Sequence, residues 1–148
     1  MKIAVGSDSA GYDYKEVLKR DLEGDERVSQ VIDVGIRSGE DIDYPHIAVS
    51  AARLVATGSV DRALLVCGTG LGMAIAANKV KGVRAVSAHD SYSVERAVLS
   101  NNAQVLTFGQ RVVGLELARR LAQEWVGYSF DPESRSAEKV SAIGSYES

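Results

Sequence analysis

The chain has 148 residues, of which 45% are apolar and 25% are charged, and its formal net charge is −3. A chain of this length corresponds to one domain with its own core, and this composition excludes a disordered or collagen-like protein. The slightly acidic balance gives no electrostatic reason to expect nucleic acid as a partner, and no apolar run approaches the roughly 18 residues that a membrane span requires.

Short apolar runs alternate with longer amphipathic stretches along the chain. They predict strands over residues 2–5, 28–34, 63–66, 83–87 and 104–108, and helices over residues 12–22, 44–55, 72–80, 90–99 and 115–126. The run at 63–66 is apolar throughout, which is typical of a central parallel strand covered on both faces. Five β-then-α units in this order predict an α/β fold, with a five-stranded parallel sheet between two layers of helices.

Three of these helices carry more detailed signals. Pro45 falls in the first turn of its helix, where a missing N–H costs little. The helix over 12–22 and the helix over 115–126 are each predicted to turn one apolar face toward the core. In the first helix this face contains Val17, Leu18 and Leu22, and in the second it contains Leu117, Leu121, Trp125 and Val126. We therefore expect these two helices to pack on the sheet by one face each.

The segment after Gly127 differs from the rest of the chain in composition. Residues 134–146 predict a short polar helix with too few apolar side chains to fold alone. We therefore expect an α/β domain over residues 1–127 and a C-terminal segment over residues 128–148 that belongs to the same domain. That segment is expected to dock on this domain or on a neighbouring subunit.

The sequence carries no mark of export. Its N-terminal apolar run stops at Asp8 without a signal-peptide cleavage pattern, and its single cysteine, Cys67, has no partner for an internal disulfide. A cytoplasmic location is the expectation that follows from these two features.

The connection after the third predicted strand is the most informative part of the sequence, and it runs Cys67-Gly68-Thr69-Gly70-Leu71-Gly72. In an open parallel sheet, ligands bind at the carboxyl ends of the strands. Glycine-rich backbone directly before a helix exposes N–H groups, and these groups favour an anion together with the helix dipole. Met73 occupies the third glycine position of a dinucleotide motif, and no Walker lysine follows. An anion site is predicted, beside the plainer alternative of a turn that only packs helix against strand.

Cys67 stands at the mouth of this loop. A lone cysteine at the end of a buried strand is often an inert small hydrophobe, but the field of a helix N-terminus favours the reactive thiolate. The two histidines, His46 and His89, are not placed by the sequence for a nucleophilic triad, and they do not cluster with other ligands at metal-binding spacing. What remains is a thiol base beside N–H donors, which suits the removal of a proton from carbon next to a carbonyl.

Five stretches of the sequence resemble a known family. They are GSDSAGYDYKEVL, DYPHIA, VCGTGLGMAIAANKVKGVRA, SYSVERA and NNAQVLTFGQRVVG. Together they look like type B ribose-5-phosphate isomerase, in the family that includes the galactose-6-phosphate isomerase subunits, and the likeness extends from Met1 to about Ile143. The resemblance implies a Rossmann-like three-layer α/β/α sandwich that interconverts aldose and ketose phosphates through an enediolate, with no metal and no cofactor. It also implies a homodimer or a dimer of dimers with shared active sites and a phosphosugar as the small-molecule partner.

The resemblance assigns roles to individual residues. Cys67 is implied as the base that moves a proton between C1 and C2, and the Thr69 hydroxyl as an aid to proton transfer at oxygen. The backbone N–H groups implied to bind the enediolate oxygens are those of the loop, at Gly68, Gly70, Leu71 and Gly72. The other implied substrate contacts are Asp8, Ser9, Tyr44 and Asn101 at the sugar, the last across the dimer interface, and Arg111, Arg135 and Lys139 at the phosphate. The plainer alternative for Arg135 and Lys139 is a solvated helix face.

The sequence departs from this family at three substrate-facing positions. Serine replaces histidine at Ser9 and Ser100, and the C-terminal Arg-His-x-x-Arg pattern here reads RSAEK over residues 135–139. A furanose phosphate must be opened by a general acid–base before isomerisation, whereas a tetrose 4-phosphate cannot close to a furanose. His89 is a candidate substitute acid, although no spacing places it.

These departures favour D-erythrulose 4-phosphate and D-erythrose 4-phosphate as the substrate pair. Ribose 5-phosphate and ribulose 5-phosphate are the alternative pair. A non-catalytic phosphosugar-binding subunit of a mixed isomerase is the alternative from another class, and the retained Cys67 and glycine loop speak against it.

Overall fold

Five parallel strands form the centre of the structure, a computed structural model that describes residues 1–147. The strands are β1 (Lys2–Ser7), β2 (Gln30–Asp33), β3 (Arg62–Cys67), β4 (Ala85–Ser87) and β5 (Val105–Gly109). They lie in the order β2-β1-β3-β5-β4, and every neighbouring pair is parallel. The central strand is therefore β3, which is buried along its whole length, as its apolar sequence predicts.

Helices cover both faces of this sheet. They are α1 (Tyr12–Glu23), α2 (Tyr44–Ala56), α3 (Leu71–Ala77), α4 (Ser91–Leu99), α5 (Leu115–Val126) and α6 (Ala137–Gly144), and a short 3-10 helix (Ser9–Gly11) precedes α1. One core joins the sheet to α1, α4 and α5, and a second core joins it to α2 and α3. This arrangement confirms the predicted three-layer α/β/α sandwich. Across residues 1–147, every helix is too short or too polar to cross a membrane.

The order of the strands places a ligand-binding crevice between β1 and β3. The chain moves from β1 outward to β2, and then returns past β1 to β3, so the winding direction reverses between these two strands. Ligands of open α/β sheets bind at this reversal, outside the carboxyl ends of the strands. Here those ends are Ser7 and Cys67. We call this side the carboxyl edge of the sheet and the opposite side its amino edge.

Several predicted boundaries are wrong by two or three residues. The two edge strands are shorter than predicted, since β2 covers 30–33 rather than 28–34 and β4 covers 85–87 rather than 83–87. An edge strand pairs on one side only, so its pairing ends sooner than its apolar run. The helix α3 ends at Ala77 and not at residue 80, because the Asn78 side chain bonds both the N–H and the C=O of Ala85 at 2.8 Å. The C-terminal helix covers 137–144 rather than 134–146.

The prediction that Leu117 faces the core is also wrong, since this side chain is 44% exposed. The buried stripe of α5 includes Ala118, Leu121 and Trp125, at the three- and four-residue spacing of one helix face. Leu117 lies beside that stripe. Val126 is buried as predicted.

Lys15 is an unexpected buried residue of α1, with a side chain only 1% exposed. Its Nζ lies 2.9 Å from Asp33 Oδ2, 2.8 Å from Glu16 Oε1 and 2.8 Å from the carbonyl oxygen of Ile36. Burial alone would lower the pKa of Lys15, but the hydrogen bonds to Glu16 and Asp33 outweigh burial and raise this pKa above its ordinary value. The network joins α1 to the end of β2. In the same helix Leu18 is buried as predicted.

The C-terminal segment is attached to the amino edge at both of its ends. Arg62, at the start of β3, donates to the carbonyl oxygens of Trp125, at 2.6 Å, and Tyr128. Near the other end of the segment, the Gly82 N–H donates to Glu147 Oε2 at 2.7 Å, three residues before β4. Between these attachments, α6 has no buried residue.

Candidate active site

The thiol of Cys67 lies at the carboxyl edge, and the residue is only 5% exposed. After Cys67 the chain turns at Gly70, whose φ of +79° belongs to the left-handed region that glycine adopts without strain. This turn brings the Gly70 N–H back to the sulfur, with an N···Sγ distance of 3.1 Å. A backbone donor therefore holds the sulfur in place at the start of the glycine loop.

Further backbone donors lie directly beside the sulfur. The first hydrogen bond of α3 runs from the Ala74 N–H to the Gly70 oxygen, at 3.1 Å. The N–H groups of Leu71 and Gly72 come before that bond and have no acceptor within the helix. The Leu71 N–H instead reaches the hydroxyl of the exposed Thr69, at 3.3 Å. The loop thus presents N–H donors and one hydroxyl to an anionic oxygen.

Arg111 adds positive charge over the same loop. The turn after β5 is bound to the loop by two hydrogen bonds, from the Gln110 N–H to the Cys67 oxygen at 2.9 Å and from the Arg111 N–H to the Gly68 oxygen at 3.0 Å. A Cβ atom on Gly68 would lie 3.2 Å from Arg111 Nη1, so the guanidinium covers this glycine. A phosphate bound near the loop would therefore meet a charged donor fork.

Tyr44 lies against the beginning of α3. It is the first residue of α2, and a Cβ atom on Gly72 would overlap its aromatic ring. Glycine at position 72 therefore leaves room for the Tyr44 ring beside the first turn of α3. Tyr44 is 39% exposed, which leaves its phenol open to a ligand.

Asp8 and Ser9 reach the site from the neighbouring strand. The 3-10 helix packs its Gly11 on the end of β3, where a Cβ atom would lie 2.8 Å from the Cys67 nitrogen. Asp8 Oδ1 caps this helix by accepting from the Gly11 N–H at 3.1 Å. The cap orients the Asp8 carboxylate, and Ser9 is exposed beside it. Both residues are thus placed in the crevice between β1 and β3.

The structure does not bring all predicted site residues together within one chain. Asn101 follows α4 and precedes β5, whose Val105 pairs with Ala63 at the amino edge. The four residue steps from there to Gly109, the partner of Cys67, span about 13 Å. Arg135 and Lys139 belong to the C-terminal segment, which is attached at the amino edge. Asn101 is therefore separated from the carboxyl edge of its own chain, and both attachments of the segment that carries Arg135 and Lys139 lie at the opposite edge.

Two positions bear on ring opening. Ser100 ends α4 on the amino side, and its hydroxyl accepts a hydrogen bond from Arg96 Nη1 at 3.2 Å. His89 Nε2 accepts from the Gly109 N–H at 2.9 Å, which requires this nitrogen to be unprotonated. Burial lowers the pKa of His89 below its ordinary value, with Asp90 acting weakly in the opposite direction. This ring nitrogen is therefore engaged by the backbone rather than free to protonate a sugar.

The sequence does not indicate two hydroxyl residues behind the loop, of which one contacts the loop and the other contacts the first. Thr107 Oγ1 donates to the Gly70 oxygen at 2.8 Å, and Ser87 Oγ lies 2.6 Å from Thr107 Oγ1. The only signal in the sequence is a hydroxyl residue near the end of each of two apolar strands, which does not by itself distinguish a loop contact from a strand contact. Within residues 1–147, no three His, Cys, Asp or Glu side chains are grouped so that they could hold a metal ion.

Comparison with known proteins identifies close relatives. The sequence profile of the Ribose/Galactose Isomerase family matches residues 3–143. D-erythrulose-4-phosphate isomerase 2 of Mycolicibacterium smegmatis is 64% identical over 148 residues, covering 99% of this chain and 97% of that protein. Ribose-5-phosphate isomerase B of Escherichia coli is 44% identical over 146 residues, covering 99% and 96%. Among solved structures, Clostridium thermocellum ribose-5-phosphate isomerase B superposes with a TM-score of 0.92 at 40% identity, covering 98% of this chain and 96% of that one.

Proposed function

The chain belongs to the ribose/galactose isomerase family, and on that premise we propose that it interconverts D-erythrulose 4-phosphate and D-erythrose 4-phosphate through an enediolate. The observation that carries the chemistry is the hydrogen bond from the Gly70 N–H to Cys67 Sγ, beside a loop of further N–H donors. A thiolate can remove a proton from carbon, and N–H donors beside it can stabilise the negative oxygen that results. Together they suit proton transfer between a carbonyl carbon and the adjacent hydroxyl-bearing carbon.

Three parts of the carboxyl edge take part in the proton transfers: the Cys67 thiolate, the loop N–H groups and the Thr69 hydroxyl. The Cys67 thiolate takes a proton from C1 of the ketose, a double bond forms between C1 and C2, and the C2 carbonyl becomes an enediolate oxygen. The N–H groups of Leu71 and Gly72 bind the negative oxygen, and the Thr69 hydroxyl transfers a proton between the two oxygens. Cys67 then delivers to C2 the proton that it took from C1, which gives the aldose. Substrate and product are isomers, so no oxidant or reductant is consumed.

A second copy of the chain completes the site in this proposal. Cys67 and Arg111 lie at the carboxyl edge, whereas Asn101 is separated from it within one chain. Arg135 and Lys139 belong to a segment whose attachments lie at the amino edge. A two-fold dimer that places the amino edge of each chain against the carboxyl edge of the other would bring both sets together twice. Leu71 and Ile75, which are 58% and 64% exposed on α3, give the carboxyl edge an apolar surface suited to such an interface. The phosphate would then be held by Arg111 of one copy and by Arg135 and Lys139 of the other.

The preference for a tetrose rests on what the site lacks. Ser9 and Ser100 stand at the positions where ring-opening relatives carry histidine, and serine has no side-chain pKa near neutrality. The Ser100 hydroxyl is engaged by Arg96, and His89 Nε2 is engaged by Gly109. A tetrose 4-phosphate needs no ring opening, because its only suitable hydroxyl is esterified. The 64% identity to an erythrulose-4-phosphate isomerase supports the same substrate.

The test is an isomerisation assay of the purified protein on a panel of tetrose, pentose and hexose phosphates. Exchange of the carbon-bound proton in D₂O, followed by NMR, reports the enediolate step independently of product release. We expect turnover and exchange with the tetrose 4-phosphate pair. Absence of both with every phosphosugar would refute the enzyme assignment. Activity that appears only after addition of a second family member would favour a subunit of a mixed isomerase instead.

A further inference from the structure

Two hydroxyl groups, one behind the other, connect the sheet to the Gly70 carbonyl of the loop. Thr107, on β5, is fully buried, and its Oγ1 lies 2.8 Å from the Gly70 carbonyl oxygen. Ser87, on the neighbouring strand β4, is paired with Thr107 in the sheet, and its Oγ lies 2.6 Å from Thr107 Oγ1. The three groups form a continuous line from the edge strand of the sheet to the loop.

The direction of the hydrogen bonds in this line follows from counting protons. The Gly70 oxygen is an acceptor only, so the Thr107 hydroxyl must donate its single proton there. Thr107 Oγ1 can then only accept from Ser87, which must donate. The Gly70 oxygen also accepts from the Ala74 N–H at 3.1 Å, so two donors fix the direction of this carbonyl.

Fixing the Gly70 carbonyl fixes the Leu71 N–H, which lies in the same peptide plane, and through the ψ angle of Gly70 it restrains the preceding peptide that carries the Gly70 N–H. In a trans peptide the C=O and the following N–H point in opposite directions, so the Leu71 N–H is directed away from Thr107 and toward the outer face of the loop. The same contact holds Gly70 in its left-handed conformation, in which the N–H of Gly70 reaches Cys67 Sγ. A glycine without this restraint samples many backbone conformations at little cost.

We propose that Thr107 and Ser87 are positioning residues for the isomerisation, which orient the Gly70 and Leu71 N–H groups through the Gly70 carbonyl without touching the substrate. This inference rests on the proposed function, because it assigns those N–H groups to the thiolate and to the enediolate. Preorganised donors act on charge that develops in the transition state, so their misalignment lowers kcat more than it changes KM.

The experiment compares Thr107→Val, which removes the hydroxyl at nearly constant volume, with Thr107→Ser, which keeps it. Direct loss of one oxyanion donor costs about 10²–10³-fold in kcat, so misalignment through Thr107→Val is expected to cost about 10- to 100-fold, with KM changed less than about twofold. Thr107→Ser is expected to stay within about threefold of the wild-type kcat, and Ser87→Ala to fall between the two threonine variants. The matched control is Thr57→Val, which removes a threonine hydrogen bond to the Arg53 oxygen at the far end of α2.

A second measurement does not depend on turnover. Hydrogen exchange of the Gly70 and Leu71 amides, followed by NMR, is expected to accelerate in Thr107→Val and to return toward the wild-type rate in Thr107→Ser. Wild-type kcat and exchange in Thr107→Val would overturn the inference, as would a rise in KM with kcat unchanged, or an equal loss in Thr107→Ser. If the wild-type protein isomerises no phosphosugar, the proposed function fails, and amide exchange alone then decides whether Thr107 holds the loop.

Discussion

The N–H of Gly70 and the sulfur of Cys67 are joined by a hydrogen bond of 3.1 Å, within one turn of chain at the end of the central strand. If this sulfur is the carbon base, Cys67→Ala removes the base and leaves the fold nearly intact. Loss of a general base costs about 10²–10⁴-fold in kcat. The measurement is steady-state turnover with the tetrose phosphate, with the thermal midpoint as a check on folding.

Cys67→Ser is the matched control for this first prediction. It keeps the shape of the side chain but replaces the thiol by a hydroxyl that is far harder to ionise. We expect it to be nearly as inactive as Cys67→Ala. Near-normal turnover in either variant would exclude Cys67 as the base.

The second prediction concerns the phosphate. Charge-assisted hydrogen bonds to phosphate are strong, so Arg135→Ala is expected to raise KM by about tenfold or more, and Arg111→Ala to do the same. Steady-state kinetics over a range of substrate concentration provide the measurement. Arg20→Ala, a substitution at an exposed position of α1, is the control and should leave KM unchanged. Equal activity of the wild type on phosphorylated and unphosphorylated sugars would contradict the assignment.

The third prediction concerns the choice of sugar. We expect kcat/KM for the tetrose phosphate to exceed that for ribose 5-phosphate by at least about tenfold, which corresponds to roughly 1.4 kcal/mol in the transition state. Joint replacement of Ser9 and Ser100 by histidine should narrow this gap by improving the ribose reaction, because imidazole can transfer the proton that ring opening needs. A wild-type enzyme that handles ribose 5-phosphate as well as the tetrose would show that the missing histidines do not set the preference.

The fourth prediction tests whether the site is shared between two copies. Cys67→Ala and the double variant Arg135→Ala/Lys139→Ala should each be nearly inactive at low substrate concentration. When they are mixed, unfolded and refolded together, half of the dimers are hybrids, and one site in each hybrid has both sets intact. Activity should therefore recover to about a quarter of the wild-type value. No recovery, with hybrids confirmed by mass spectrometry, would mean that each chain builds its own site.

The fifth prediction concerns stability and pH. Burial lowers the pKa of His89 in the folded chain, so below the ordinary value of about 6.5 the unfolded chain binds more protons than the folded chain does. The contribution of His89 to the free energy of unfolding is complete above that pH and is lost as the pH falls toward the pKa of the folded state. Urea midpoints at pH 7.5 and 5.5 should therefore differ more in the wild type than in His89→Asn, which keeps an acceptor for the Gly109 N–H. Equal differences in the two proteins would show that His89 does not contribute.

The order of the five β–α units could be predicted because each central strand and each sheet-covering helix carries its own apolar period. The position of the loop could be predicted for a similar reason, since three glycines directly before a helix are a local signal. The ends of β2 and β4 could not be predicted, because they depend on where a single neighbouring strand stops pairing. Leu117 lies beside the buried stripe of its helix, and the sequence alone did not resolve that difference.

Other parts of the site depend on contacts between distant segments. Thr107 and Gly70 are 37 residues apart, and their hydrogen bond forms only when β5 lies beside β3. The burial of Lys15 likewise depends on Asp33 and Ile36, which reach it from the next strand and loop. The proposed role of Arg135 and Lys139 depends on a contact of another kind, because in the proposed dimer they act together with Arg111 of a second copy.

The ion pair of Lys15 and Asp33 has a consequence for the order in which the chain folds. A buried charge left without its partner costs about 3–5 kcal/mol, which is a large part of the stability of a small domain. An intermediate in which α1 has docked on β1 while β2 is still unfolded would keep Glu16 beside the Lys15 ammonium but would lack Asp33 and Ile36, and would thus incur part of that cost. Such a species is disfavoured, so the first 36 residues are driven to assemble as one cooperative unit. Their assembly sets the side of the crevice from which Asp8 and Ser9 approach Cys67.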